Sequence, residues 1–174
     1  ISSNILTEGF EFVSCNSDKS TCADFQIMRY PTTNIQYLEY LEIALTSDNI
    51  YIDDSKVKGY YHDTSYDFCS FNNSRISYNS TDGTLNIEDG YENHPAVGIS
   101  WYGANAFAGF YGMTLPTKDQ FEFAARGDNT WSYPFGDIDP ASHLYLNYNS
   151  SETTEVGYYD GKDSTENAVS FIGA

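Results

Sequence analysis

One run, His94 to Gly136, constrains the fold more than any other part of this chain: HPAVGISWYGANAFAGFYGMTLPTKDQFEFAARGDNTWSYPFG. Pro95-Ala96-Val97-Gly98-Ile99 reads as a short buried strand, and Ser100 is placed to cap a helix. From Trp101 the apolar residues Ala104, Phe107, Ala108 and Tyr111 recur at helical spacing. Gly112 suits the left-handed position that ends such a helix. Beyond Leu115-Pro116, Thr117 and Gln120 form a T-x-x-Q capping box for a second helix. Phe121, Ala124 and Ala125 are its expected inner face, Glu122 and Arg126 an i,i+4 ion pair, and Gly127 its stop.

The rest of the chain adds short strands and one more helix. Gly9–Val13 and Asp24–Tyr30 alternate as strands do, and Pro31 ends the second. Thr33 caps a helix from Asn34 to about Leu45, with Tyr37, Leu38, Leu41 and Leu45 as the expected inner stripe. Residues 46–93 are polar and turn-rich, with strands expected at Lys58–Tyr61, Ile76–Tyr78 and Thr84–Ile87. The Asp82-Gly83 turn joins the last two into a hairpin. No repeat or low-complexity linker interrupts the 174 residues, so a single α+β domain over 1–174 is expected.

These blocks resemble the formylglycine-generating enzyme (sulfatase-modifying factor) family. Its pattern is roughly P-V-x-x-V-S-W-Y-x-A, then R-L-P-T-E-x-E-W-E-x-A-A-R-G, then Y-P-W-G. Here it stands as Pro95–Ala104, Thr114–Gly127 and Tyr133–Gly136. An amino-terminal block beginning near Phe25 and the segments Tyr145–Asn149 and Val156–Gly161 are similar to further family blocks. The resemblance implies a C-type-lectin-like fold with short irregular strands, about three helices and much loop. It also implies that Ala174 falls short of the family's carboxy-terminal segment, where the oxidase members carry the cysteine pair that binds copper. That segment would otherwise cover Phe107, Tyr111, Phe121 and Phe123, so these are expected to be partly uncovered. A fold hosts many activities, so the site must be argued from its own residues.

Net charge is −17, which makes the chain self-repelling and disfavours nucleic acid or an anionic membrane as partner. No apolar run is long enough to span a bilayer. An excess of Tyr, Asn, Ser and Thr with few Lys makes an extracellular, secreted protein the expectation. Cys15 and Cys22 enclose a short polar loop and can close a disulfide, which leaves Cys69 as a small buried hydrophobe. Asn72, Asn79 and Asn149 begin glycosylation triplets, so a glycoprotein and a glycan partner are among the expectations.

Through the resemblance, Asn147 and the Tyr148 carbonyl are candidate calcium ligands, with Asp128, Asp137 and Asp139 as further oxygen donors. The alternative is a solvated acidic loop in which Asn147 serves a turn. His62, His94 and His143 lie far apart in the sequence without metal-ligand spacing. Trp131, Tyr133, Tyr158 and Tyr159 are binding-surface candidates, although aromatic residues pack cores as readily. The resulting expectation is a non-catalytic extracellular interaction or assembly module that pairs with itself or with a carboxy-terminal continuation. The alternatives are a fragment of a copper-dependent oxidase or a calcium-stabilised lectin-like domain.

Overall fold

The computed structural model describes residues 9–15, 23–137, 139 and 146–159. Its three α-helices and seven short strands, all paired antiparallel, give the expected α+β class. The described residues group into two compact units. One is built on Thr32–Leu115, and the other on Glu8–Pro31 with Pro116–Ala174.

The first unit starts with α1, Asn34–Thr46. Thr33 is extended at φ −82° and ψ 163°, its Oγ1 accepts the Gln36 N–H, and Gln36 Oε1 accepts the Thr33 N–H. Two further N–H groups that a helix start leaves without partners go to a distant loop. Asn34 N donates to the His94 carbonyl at 2.9 Å and Ile35 N to the Glu92 carbonyl at 3.1 Å. The Asn34 side chain adds a bond to the Tyr91 carbonyl at 2.8 Å. This stitching holds residues 91–96 against the helix end, so Pro95–Ile99 is not the strand the sequence suggested. It makes only single bridges, Thr33 to Pro95 and Cys69 to Ile99, and stays half-buried.

The buried face of α1 is Asn34, Tyr37, Tyr40, Leu41 and Ala44. Leu38 and Leu45, expected inside, are half-buried. The helix turns its tyrosines inward because they meet Phe107 of α2, Trp101–Phe110. Tyr37 stacks on that ring at 5.6 Å and Tyr40 meets it edge-on at 5.6 Å. Phe107, expected to be partly uncovered, is therefore only 5% exposed.

Between these helices runs a three-stranded antiparallel meander, β1 Ile50–Asp53, β2 Lys56–Tyr61 and β3 Thr64–Ser70. His62 and Asp63 form the two-residue turn between β2 and β3 at φ 47° and 61°, the left-handed conformation such tight turns need. A separate hairpin follows, β4 Ile76–Asn79 and β5 Thr84–Ile87. Its turn is the expected one, with Gly83 at φ 75° and Asp82 accepting both the N–H and the hydroxyl of Thr84.

Ser100 fastens α2 to β3. Its hydroxyl donates to the Asp67 carbonyl at 2.6 Å and its oxygen accepts the Gly103 N–H, while its own N–H bonds the Phe68 carbonyl. Gly103 packs so tightly on the Phe68 carbonyl that a Cβ there would collide with it. At the other end Gly112 is left-handed, and Met113 N reaches back to the Ala108 carbonyl at 2.8 Å.

The second unit contains a two-stranded sheet, β6 Phe12–Cys15 and β7 Phe25–Met28, and α3, Lys118–Arg126. The Thr117–Gln120 capping box, the 2.7 Å Glu122–Arg126 pair and the Gly127 stop are all present. Phe123 meets Phe25 edge-on at 6.3 Å and Ala124 is buried. Phe121, placed on the inner face by its spacing but also among the rings expected to be partly uncovered, is 64% exposed. Among the described residues no helix is long and apolar enough to cross a membrane.

Candidate interaction surfaces

The loop after α3 is held by Arg126, which spans Glu122 and the Trp131 carbonyl at 3.0 Å. Tyr133 and Gly136 then close a tight reverse turn by two backbone bonds of 3.1 Å, and Tyr133 stacks on Phe135 at 5.6 Å and 5°. Asp137 accepts the Ser132 N–H, which holds its carboxyl below the usual carboxylate range. The loop presents Tyr133, which is 38% exposed, while Trp131 is half-buried. Tyr158 and Tyr159 meet edge-on at 4.9 Å, with Tyr158 57% exposed and Tyr159 half-buried. Burial raises the Tyr159 pKa.

Asn147 uses its side-chain amide to bond the Glu152 carbonyl at 2.7 Å, and Tyr148 N bonds the Leu146 carbonyl. Asn147 therefore closes a turn, next to left-handed Asn149 at φ 54°. Of the further oxygen donors, Asp128, Asp137 and Asp139 are all exposed. Among the described residues no group of three or more His, Cys, Asp or Glu is arranged to hold a metal ion.

Cys15 ends β6 as a buried thiol, and Cys69 is buried beneath α2. Burial raises both thiol pKa values, that of Cys69 to about 11, opposed by a hydrogen bond from Ser74. Neither has the thiolate character that a nucleophile or a copper ligand needs. Cys22, His143 and Tyr145 lie outside the described residues. Asn72 and Asn79 are exposed, but their amide groups are engaged, with Ser55 and Asp82 respectively. Asn149 is exposed on its turn.

A second aromatic surface, absent from the sequence reading as a cluster, lies on the first unit. Tyr61 and Tyr66 from β2 and β3 meet Trp101 and Tyr102 from the first turn of α2. Tyr66 and Tyr102 stack at 3.7 Å and 14°. Trp101 stands nearly perpendicular to Tyr61 and Tyr102, at 5.6 and 5.3 Å. Trp101 is nevertheless 55% exposed. The S-W-Y block carried the signal for one half of this cluster. Of the other half, Tyr61 ends β2, a strand the sequence indicated, while Tyr66 lies on β3, which the sequence did not reveal.

Three helices, short antiparallel strands and helix-capped aromatic loops define a mixed α+β domain of C-type-lectin-like fold. The chain belongs to the sulfatase-modifying factor enzyme 1-like family, whose model matches residues 5–172. It is 37% identical over 132 residues to the serine/threonine-protein kinase pkn1 of Chlamydia caviae, covering 75% of this chain and 18% of that protein. It is 33% identical over 167 residues to Pkn1 of Chlamydia trachomatis, covering 89% and 24%. The formylglycine-generating enzyme of Mycobacterium tuberculosis is 40% identical over 55 residues, 31% of this chain and 18% of that enzyme. The chain spans about a fifth of the length of these relatives.

Proposed function

We propose that this domain is a non-catalytic, extracellular interaction module of its family, engaging protein partners, further copies of itself included, through exposed aromatic side chains. The observation that carries this reading is the set of large rings left in water on a strongly acidic chain: Tyr60, Trp101, Phe121 and Tyr158 are each more than half exposed. Exposing such rings forfeits roughly 1.5–3 kcal/mol each, a cost that contact with a partner removes. The kinases similar over most of this chain are several times longer, which fits a module attached to other functions. Cys69 supports the non-catalytic part, since its thiol is buried and holds its proton.

The competing reading, a part of a copper-dependent oxidase, draws on the short match to the formylglycine-generating enzyme of Mycobacterium tuberculosis. Two measurements separate them. Sedimentation at micromolar concentration should show self-association that Phe121→Ala or Tyr158→Ala weakens, and a monodisperse monomer would remove self-association from the proposal. Mass spectrometry of a cysteine-containing peptide incubated with the chain and copper should show no formylglycine. Turnover that disappears in Cys69→Ser would establish the oxidase instead.

A further inference from the structure

We propose that the ring cluster of Tyr61, Tyr66, Trp101 and Tyr102 is a docking platform for an arginine-bearing polypeptide segment, a specification that rests on the interaction-module reading. Three observations lead there.

The first is charge. Between residues 32 and 115 there are three basic side chains against eleven acidic ones. All three are already paired: Lys56 with Asp67, Lys58 with Asp53 and Asp67, and Arg75 with Glu88. The unit therefore offers uncompensated negative charge to a partner, with Asp63 exposed at the tip of the hairpin that carries Tyr61. A phosphate-bearing ligand would be repelled.

The second is rigidity. Ser100 ties the start of α2 to β3 through its hydroxyl and its N–H. Tyr66 and Tyr102 lock face to face. The platform is formed before a partner arrives, so little ordering is required on binding.

The third is ring spacing, which selects the kind of cation. Tyr61, Trp101 and Tyr102 lie only 5.3 to 5.6 Å apart, centroid to centroid. Rings this close touch one another and leave no gap into which a compact ammonium or trimethylammonium group could be seated. A cation can only lie on the outer ring surfaces, and a planar, weakly hydrated guanidinium stacks there more favourably than a strongly hydrated ammonium.

The test is titration of the whole chain, as the Trp131→Phe variant, with a peptide of alternating arginine and serine and its lysine counterpart, read by Trp101 fluorescence and calorimetry. The arginine peptide should bind at least fivefold tighter than the lysine peptide at the same ionic strength. Calorimetry should show Trp101→Ala reducing arginine-peptide affinity tenfold or more and Trp101→Phe reducing it less. Thermal melting of each variant separates lost binding from lost folding, and Trp101→Phe keeps the test decisive if the alanine variant unfolds. Equal binding of the two peptides, or unchanged affinity in both Trp101 variants, would overturn the platform. Sedimentation of the same samples keeps the readings apart: self-association without arginine preference sinks this proposal and spares the interaction module.

Discussion

The two units of this chain bury their apolar residues very differently. In the first, Tyr37, Tyr40, Leu41, Ala44, Ile50, Val57, Phe68, Cys69, Ile76, Leu85, Phe107 and Ala108 are all buried. In the second, the buried apolar residues among those described are Cys15 and Ala124, while Phe12, Phe121, Tyr133, Tyr148 and Tyr158 are exposed. The first unit also exposes Ile35, Ile43, Tyr51, Tyr60 and Trp101, but it does so around a buried core. The described residues of the second show strands and a well-capped helix without a comparable interior. Regular secondary structure and a self-sufficient core are separable properties, and capping boxes supply the former more than the latter.

The largest test of this contrast is deletion of matched rings. Phe107→Ala should destabilise the chain by about 3–5 kcal/mol in urea unfolding, since it empties the space beneath Tyr37 and Tyr40. Phe121→Ala should cost less than about 0.5 kcal/mol. Comparable losses would mean that Phe121 is covered in solution and that the contrast is false.

Next in size is alkaline destabilisation of the first unit. Cys69 and Tyr40 are neutral when protonated, and desolvation raises their folded pKa values to about 11 and about 12 from 9.0 and 10.0. The folded state therefore keeps these protons at pH values where the unfolded chain has released them. Their contribution is intact below about pH 9 and is lost as pH rises through 11 to 12, by about 1.4 kcal/mol per pH unit and group. Urea midpoints measured from pH 8 to 11 should fall, and Cys69→Ala should flatten the first part of that fall.

A disulfide would narrow the gap between the units. Cys15 ends β6, and Cys22 precedes β7 by three residues, so a bond between them would close the connection between paired strands. Non-reducing peptide mapping should find Cys15 joined to Cys22 and Cys69 as a thiol. Reduction should then cost roughly 2–3 kcal/mol, felt in the second unit. Bonding of Cys69 to either would contradict its burial beneath α2.

The smallest expected effect concerns the loop at Asn147. If its amide serves the turn to Glu152, millimolar calcium should leave the melting temperature unchanged, because only a ligand that binds the folded state raises it. A concentration-dependent rise abolished by Asn147→Ala would make this loop a calcium site.

The sequence disclosed most where a structural cause is local. Thr33, Ser100 and Thr117 cap helices through their own hydroxyls, and Gly112 and Gly127 adopt positive φ where those helices end. Each of these depends on residues within a few positions of one another. Faces were harder. Helix α1 carries apolar residues on several sides, and the choice of Tyr40 and Ala44 over Leu38 and Leu45 is made by Phe107, more than sixty residues away. Phe121 and Phe123 are equally apolar, but Phe123 has Phe25 to pack against. The strand β3 was missed because Thr64–Ser70 mixes polar residues into both faces and takes its definition from β2. The sequence offered Trp131, Tyr133, Tyr158 and Tyr159 as surface rings, whereas the cluster around Trp101 was not legible because it depends on the long-range pairing of β2 and β3 with α2.

The division of the chain also has a consequence in time. The described part of the first unit, within Thr32–Leu115, is one stretch of sequence, whereas the other unit joins segments on either side of it, as the Phe25–Phe123 contact shows. Forming that contact first would require closing a loop of nearly a hundred residues, and its entropic cost precedes any gain. On a ribosome, β6 and β7 emerge early and wait for α3, while Phe107 and the α1 tyrosines it packs against lie within the intervening stretch. The amino-terminal strands would spend that interval as an unfinished surface. Synthesis order thus makes β6 and β7, although made before α1 and α2, later to complete their packing.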